Sequence, residues 1–120
     1  NAEATSKALK AFDNIYWIAG GQAKDEGIEP LLGALGSVKS VYLIGEAQDY
    51  FAKALQRGAP TDMPSHKCGT LEKAVALAIK HARLSGGGTI LLSPACASWD
   101  QFTNFEHRGE AFSKILETLI

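Results

Sequence analysis

Three short segments carry β-branched and aromatic residues with almost no polar alternation: Ile15-Tyr16-Trp17-Ile18-Ala19, Val41-Tyr42-Leu43-Ile44 and Thr89-Ile90-Leu91-Leu92. Runs of this kind suit strands covered on both faces, as in a parallel sheet. Between them, apolar residues recur every three or four positions, the spacing of a helix with one buried face. The opening segment puts Ala8, Leu9 and Phe12 on such a face and stops at Asp13-Asn14. Ile28, Leu31, Leu32 and Leu35 predict a second helix, with Pro30 tolerated in its first turn. Ala47, Phe51, Ala54 and Leu55 predict a third, ending before Gly58. Thr70 is placed to cap a fourth, with Leu71, Val75, Ala78, Ile79 and Ala82 inward and Glu72, Lys73, Lys80 and Arg83 outward. Gly86-Gly87-Gly88 turns the chain into the third strand, and a last helix carries Phe105, Gly109, Phe112, Leu116 and Leu119. The stretch from Thr61 to His66, beside Pro60 and containing Pro64, reads as an edge strand. Strand and helix alternate, which implies right-handed crossovers. The fold expected is α/β: a single Rossmann-like three-layer sandwich with a mostly parallel sheet and helices on both faces.

Composition narrows the function. The 120 residues are 46% hydrophobic and 21% charged, ordinary for one globular domain and too apolar for a disordered chain. Twelve Lys+Arg against thirteen Asp+Glu give a net charge of −1, without the basic excess of a general nucleic-acid binder. No apolar stretch is long enough to span a membrane, and the first residues lack the basic and apolar regions of a secretory signal. Cys68 and Cys96 form no disulfide framework, and no second Cys or His stands at zinc-ligand spacing from either. A cytoplasmic, metal-free domain is expected, with no membrane or nucleic-acid partner.

In an open parallel sheet, ligands bind beyond the carboxyl ends of the strands. Three loops leave those ends here: Gly20-Gly21-Gln22-Ala23-Lys24-Asp25, Gly45-Glu46, and Ser93-Pro94-Ala95-Cys96-Ala97-Ser98-Trp99-Asp100. The first brings a lysine just past a glycine pair, and the third brings hydroxyls to the start of the final helix, whose positive end favours carboxylate or phosphate. Together they would make a small-anion site. Taken singly, a lysine after a strand is more often a solvated charge, and Ser93 and Ser98 suit turns or caps better than nucleophiles. Cys96 lacks an evident histidine partner, so a buried inert thiol fits it better than a nucleophile, and Cys68 likewise. His66, His81 and His107 show no metal-ligand spacing; His81 and His107 fall on helices, expected to face solvent. Trp99, Phe102 and Phe105 suit packing. Neither a G-x-x-x-x-G-K-[ST] phosphate loop nor a G-x-G-x-x-G turn is present.

Leu91-Leu92-Ser93-Pro94-Ala95-Cys96-Ala97-Ser98-Trp99-Asp100-Gln101-Phe102, followed by Asn104-Phe105-Glu106-His107-Arg108-Gly109-Glu110-Ala111-Phe112, resembles the C-terminal signature of the Mur ligases. Tyr16-Trp17-Ile18-Ala19-Gly20-Gly21-Gln22-Ala23-Lys24 is similar to the G-G-x-x-K stretch of the members that add D-glutamate, and Val41-Tyr42-Leu43-Ile44-Gly45-Glu46 to their next strand. The resemblance runs along the whole chain. It implies that residues 1–120 are a C-terminal, D-glutamate-binding domain of a three-domain enzyme, with the UDP-sugar domain and the ATPase domain outside this chain. Asn1-Ala2-Glu3-Ala4-Thr5 then begins just after the family's D-S-K-A-T-N segment, and an excised domain or fragment is expected.

The activity implied is that of an ATP-dependent, ADP-forming acid–amino-acid ligase of peptidoglycan synthesis, serving cell-wall biogenesis, cell shape and division. It joins D-glutamate to UDP-N-acetylmuramoyl-L-alanine, with ATP and Mg²⁺ held mainly by the central domain. The resemblance assigns Lys24 to a substrate carboxylate, Ser98 to a hydroxyl contact at the other end of D-glutamate, and Phe105 to a backbone contact. Trp99 takes a neighbouring position that varies in the family, and Asp25 stands where many members have glycine. This chain alone would be inactive, contributing substrate binding and closure of the site. Two other readings remain: a stand-alone small-anion or amino-acid binding module, and an unrelated small enzyme using Cys96.

Overall fold

The computed structural model describes residues 2–20, 29–58 and 62–95. In chain order these form α1 (Ala2–Ala11), β1 (Ile15–Gly20), a 3₁₀ helix (Glu29–Ala34), β2 (Val38–Ile44), α2 (Gln48–Gly58), β3 (Ser65–Gly69), α3 (Leu71–Leu84) and β4 (Thr89–Ala95). The four strands make one parallel sheet in the order β3-β2-β1-β4, the α/β architecture expected. The final helix expected around Phe105 to Leu119 lies outside the described residues.

The unbroken apolar runs are explained by the two faces of the sheet. Successive strand residues point to opposite sides. Ile15, Trp17, Ala19, Val41, Leu43 and Leu91 therefore pack with Leu9 of α1, Leu31 and Leu35 of the 3₁₀ helix, and Phe51, Ala54 and Leu55 of α2. Tyr16, Ile18, Tyr42, Ile44, Ile90 and Leu92 meet Leu71, Ala74, Val75, Ala78 and Ala82 of α3 on the other side. A polar residue in either alternation would be buried, and every residue of β1 is. The Thr70 hydroxyl caps α3 by accepting from the Lys73 N–H at 3.3 Å. The far end of α3 closes with a glycine turn, where the Gly86 and Gly87 N–H groups return to the Arg83 and Ala82 carbonyls. Gly86 has φ +89, a backbone state that an L side chain rarely tolerates.

Several expectations are corrected. The buried stripe of α1 is Thr5 and Leu9, one helical turn apart, whereas Phe12 is 47% exposed because α1 ends at Ala11 before the turn at Asn14. The segment after β1 is a short 3₁₀ helix, although Leu31 and Leu35 are buried as expected. The edge strand is Ser65–Gly69, beginning only after Pro64, whose carbonyl accepts from the Val41 N–H at 3.0 Å. The second strand starts three residues before the apolar run, because exposed Lys39 alternates with buried Val38 and Ser40. β4 continues through Ser93-Pro94 to Ala95, with a register shift opposite Ile18–Gly20. That irregularity admits a proline, which has no N–H to give the ladder.

Leu9→Ala is expected to destabilise the fold by about 2–5 kcal/mol and Phe12→Ala by no more than about 0.5 kcal/mol, read from urea unfolding. Similar losses at both positions would contradict this placement of α1.

Candidate functional site

The chain builds β1, β2 and β3 outward in one direction and then returns to the opposite side of β1 with β4. In open parallel sheets ligands bind at the carboxyl edge where the strand order reverses, here between β1 and β4. The two strand tips are neighbours: Gly20 pairs with Ala95 on one side and with Ile44 on the other. Gly20 has φ +125, and a Cβ there would run into the Ile44 carbonyl oxygen, so only glycine lets the β1 tip sit this close to β2. Lys24 follows Gly20 by four residues, and Ser98 follows Ala95 by three. Lys24, Ser98, Trp99 and Phe105, with Asp25 and Cys96, lie outside the described residues.

The other half of this edge is tied together by backbone and one amide. The Gly45 N–H donates to the Gly69 carbonyl at 2.9 Å, and the Gly69 N–H donates to Gln48 Oε1 at 3.1 Å. Gln48 thus fastens the first turn of α2 to the tip of β3. Sequence reasoning missed it; the available signal was a glutamine three residues beyond a strand-ending glycine. Nearby, Lys67 and Asp49 form an ion pair at 3.1 Å, but both are well exposed, so it adds little to stability.

A second polar feature lies at the opposite, amino edge. A cavity of about 750 Å³ there is lined by Asn14, Lys39, Ser40, His66, His81 and the turn at Gly86–Gly88, among others. The Tyr42 hydroxyl stands 2.6 Å from Ser40 Oγ and 2.7 Å from His81 Nδ1. His66 stacks on Tyr42 with ring centroids 5.3 Å apart and planes 17° from parallel. His81 is therefore not the solvent-facing residue expected: the α3 face that carries it turns it toward the β2 tyrosine. Burial raises the Tyr42 pKa above its ordinary 10.0. Burial, then the electrostatic influence of the neighbouring His81, lowers the His66 pKa below 6.5. Burial also raises the Cys68 pKa, which keeps it a thiol and agrees with the inert role expected. The cluster is invisible as a motif because His66 and His81 are far apart in sequence; its trace is Ser40 and Tyr42 in an otherwise apolar strand.

Comparison with known proteins finds relatives along almost the whole chain. UDP-N-acetylmuramoylalanine–D-glutamate ligase of Paramagnetospirillum magneticum is 47% identical over 119 residues, covering 98% of this chain and 25% of that enzyme. The enzyme of the same name from Mesorhizobium japonicum is 50% identical over 114 residues, 93% of this chain and 24% of that protein. A Wolbachia enzyme of that name is 43% identical over 120 residues. The chain is a homologue of one segment of the Mur ligases. It spans about a quarter of the length of the curated relatives that it matches. No protein-family model matches it. No helix among the described residues is long and apolar enough to cross a membrane.

The lowered His66 pKa has a definite sign. The unfolded chain takes up this proton more readily than the folded one, so the contribution of His66 to stability is complete above about pH 6.5. It is lost as pH falls through that value toward the lower folded one. The urea midpoint is expected to drop between about pH 7.5 and 5.5, and His66→Gln to flatten that drop. An unchanged pH profile in His66→Gln would remove His66 from the account.

Proposed function

We propose that this chain is the C-terminal, D-glutamate-binding domain of an ATP-dependent, ADP-forming amide ligase that adds D-glutamate to UDP-N-acetylmuramoyl-L-alanine in peptidoglycan synthesis. The observation that carries this reading is the match along 98% of the chain to a ligase named for D-glutamate. The adjacency of the β1 and β4 tips supports it, because these strands lead into the segments that bear Lys24 and Ser98.

D-Glutamate presents two carboxylates and an amine, and a ligase must hold the first two while leaving the third free. In the proposed arrangement the Lys24 ammonium pairs with one carboxylate, and the Ser98 hydroxyl donates to the other end of the molecule. A backbone group of Phe105 completes the contacts, with Trp99 beside them. Charge-assisted hydrogen bonds of this type fix orientation as well as affinity. The L-alanine carboxylate of the nucleotide-sugar substrate is activated with ATP as an acyl phosphate. The D-glutamate nitrogen then attacks the acyl carbon, a C–N bond forms, the C–O bond to phosphate breaks, and the nitrogen loses a proton. Orientation matters most here, since a bound amine aimed at the acyl carbon replaces a bimolecular encounter.

ATP and Mg²⁺ are assigned to a central domain beyond this chain, in keeping with the lack of a phosphate-loop motif in its sequence. The domain binds the incoming amino acid and closes over the activated substrate, in the cytoplasm where nucleotide-linked precursors are made. Alone, it supplies no activating chemistry.

In the complete ligase, Lys24→Ala is expected to raise the KM for D-glutamate roughly ten- to a hundred-fold, the loss of one charge-assisted hydrogen bond of about 1.5–3 kcal/mol. The KM for ATP should stay within a few-fold. Equal losses for both substrates would refute the assignment of Lys24.

A further inference from the structure

We propose that His66 and His81 form a two-imidazole site for a borderline transition-metal ion of the zinc, nickel and copper class, at the amino edge of the sheet. The two rings come from β3 and α3, and their centroids are 5.1 Å apart with planes inclined at 49°. Two imidazoles bound tetrahedrally to one ion, each through a nitrogen at about 2.0–2.1 Å, place their centroids roughly 5 Å apart. The observed centroid spacing matches that arrangement.

The surroundings orient the rings as an outer shell does. His81 Nδ1 is engaged by the Tyr42 hydroxyl at 2.7 Å, and that hydroxyl in turn meets Ser40 Oγ at 2.6 Å. With Nδ1–H donating to Tyr42 and the Tyr42 O–H donating to Ser40, the Nε2 lone pair is the one left for an ion. A histidine ligand anchored through its other nitrogen is the usual arrangement around bound metals. His66 is held on the other flank by its stack against the Tyr42 ring. His81 also belongs to the last turn of α3, where the helix dipole favours positive charge.

The cavity supplies an entry path and room for water to complete the coordination. No carboxylate is among its lining residues, and Lys39, which also lines the cavity, opposes a cation there and limits the affinity. Among the described residues no group of three or more His, Cys, Asp or Glu gathers to hold a metal, so the ion has two protein ligands and exchanges readily. Imidazole selects this metal class over Mg²⁺, which prefers oxygen and its own water. The site is therefore distinct in its ligand chemistry from a Mg²⁺ site of the kind that accompanies ATP.

Zinc titration of the chain at about pH 7.5, followed through the histidine ring nitrogens by NMR, tests the site. His66 and His81 are expected to shift together and saturate, with His107 unmoved and Mg²⁺ without effect. His66→Gln should weaken binding about tenfold or more, and a Cys68→Ser, Cys96→Ser variant should bind as the parent chain does. Absence of a saturable shift up to about 1 mM zinc would overturn the proposal, as would shifts that spread to His107 or binding that vanishes with the cysteines. The ring shifts of the parent chain decide the assignment whatever happens to the fold of the variants.

Discussion

Parallel pairing of β1 with a strand on each side is the constraint on which the rest of this structure depends. β1 is buried along its whole length and lies between β2 and β4, so it cannot shift register without moving a full set of apolar side chains to the wrong face. The same pairing brings the tip of β4, the last strand described, beside the tip of the first. Gly20 sits at this junction, against Ile44 and Ala95, in a conformation that excludes a side chain. A site assembled from the segments after β1 and β4 inherits its geometry from that junction.

The two edges of the sheet are built differently. At the carboxyl edge, short ties between Gly45, Gly69 and Gln48 hold the β2 and β3 tips to the start of α2. At the amino edge, a tyrosine hydroxyl in the middle of an apolar strand recruits Ser40 and His81, and a second histidine stacks on its ring. Burying Ser40 and the Tyr42 hydroxyl is tolerable because each satisfies the other. No buried side-chain nitrogen or oxygen among the described residues is left without a partner.

Much of this was legible in the sequence because burial on both faces leaves a plain signature. Continuous apolar runs located β1, β2 and β4, and the helical repeats of Phe51, Ala54 and Leu55 and of Leu71, Val75 and Ala78 located α2 and α3. Boundaries failed where polar residues belong to a strand, as with Lys39 and Ser40, or where a helix ended a residue early and left Phe12 outside. The histidine cluster was unreadable for a different reason: its members meet only through tertiary packing, with no spacing to betray them. Of the carboxyl-edge site, the sequence offered a cation and hydroxyls on two segments, and the strand order supplies the adjacency of their roots. The family resemblance rests on long motifs at a fixed separation, and ligases named for D-glutamate match over 93–98% of the chain.

The most direct test of the central claim is a crystal structure of the complete ligase with D-glutamate bound. The account predicts the amino acid beyond the paired tips of β1 and β4, one carboxylate within hydrogen-bonding distance of Lys24 Nζ and its other end at Ser98 Oγ. D-Glutamate held elsewhere, with Lys24 and Ser98 on separate surfaces, would contradict it.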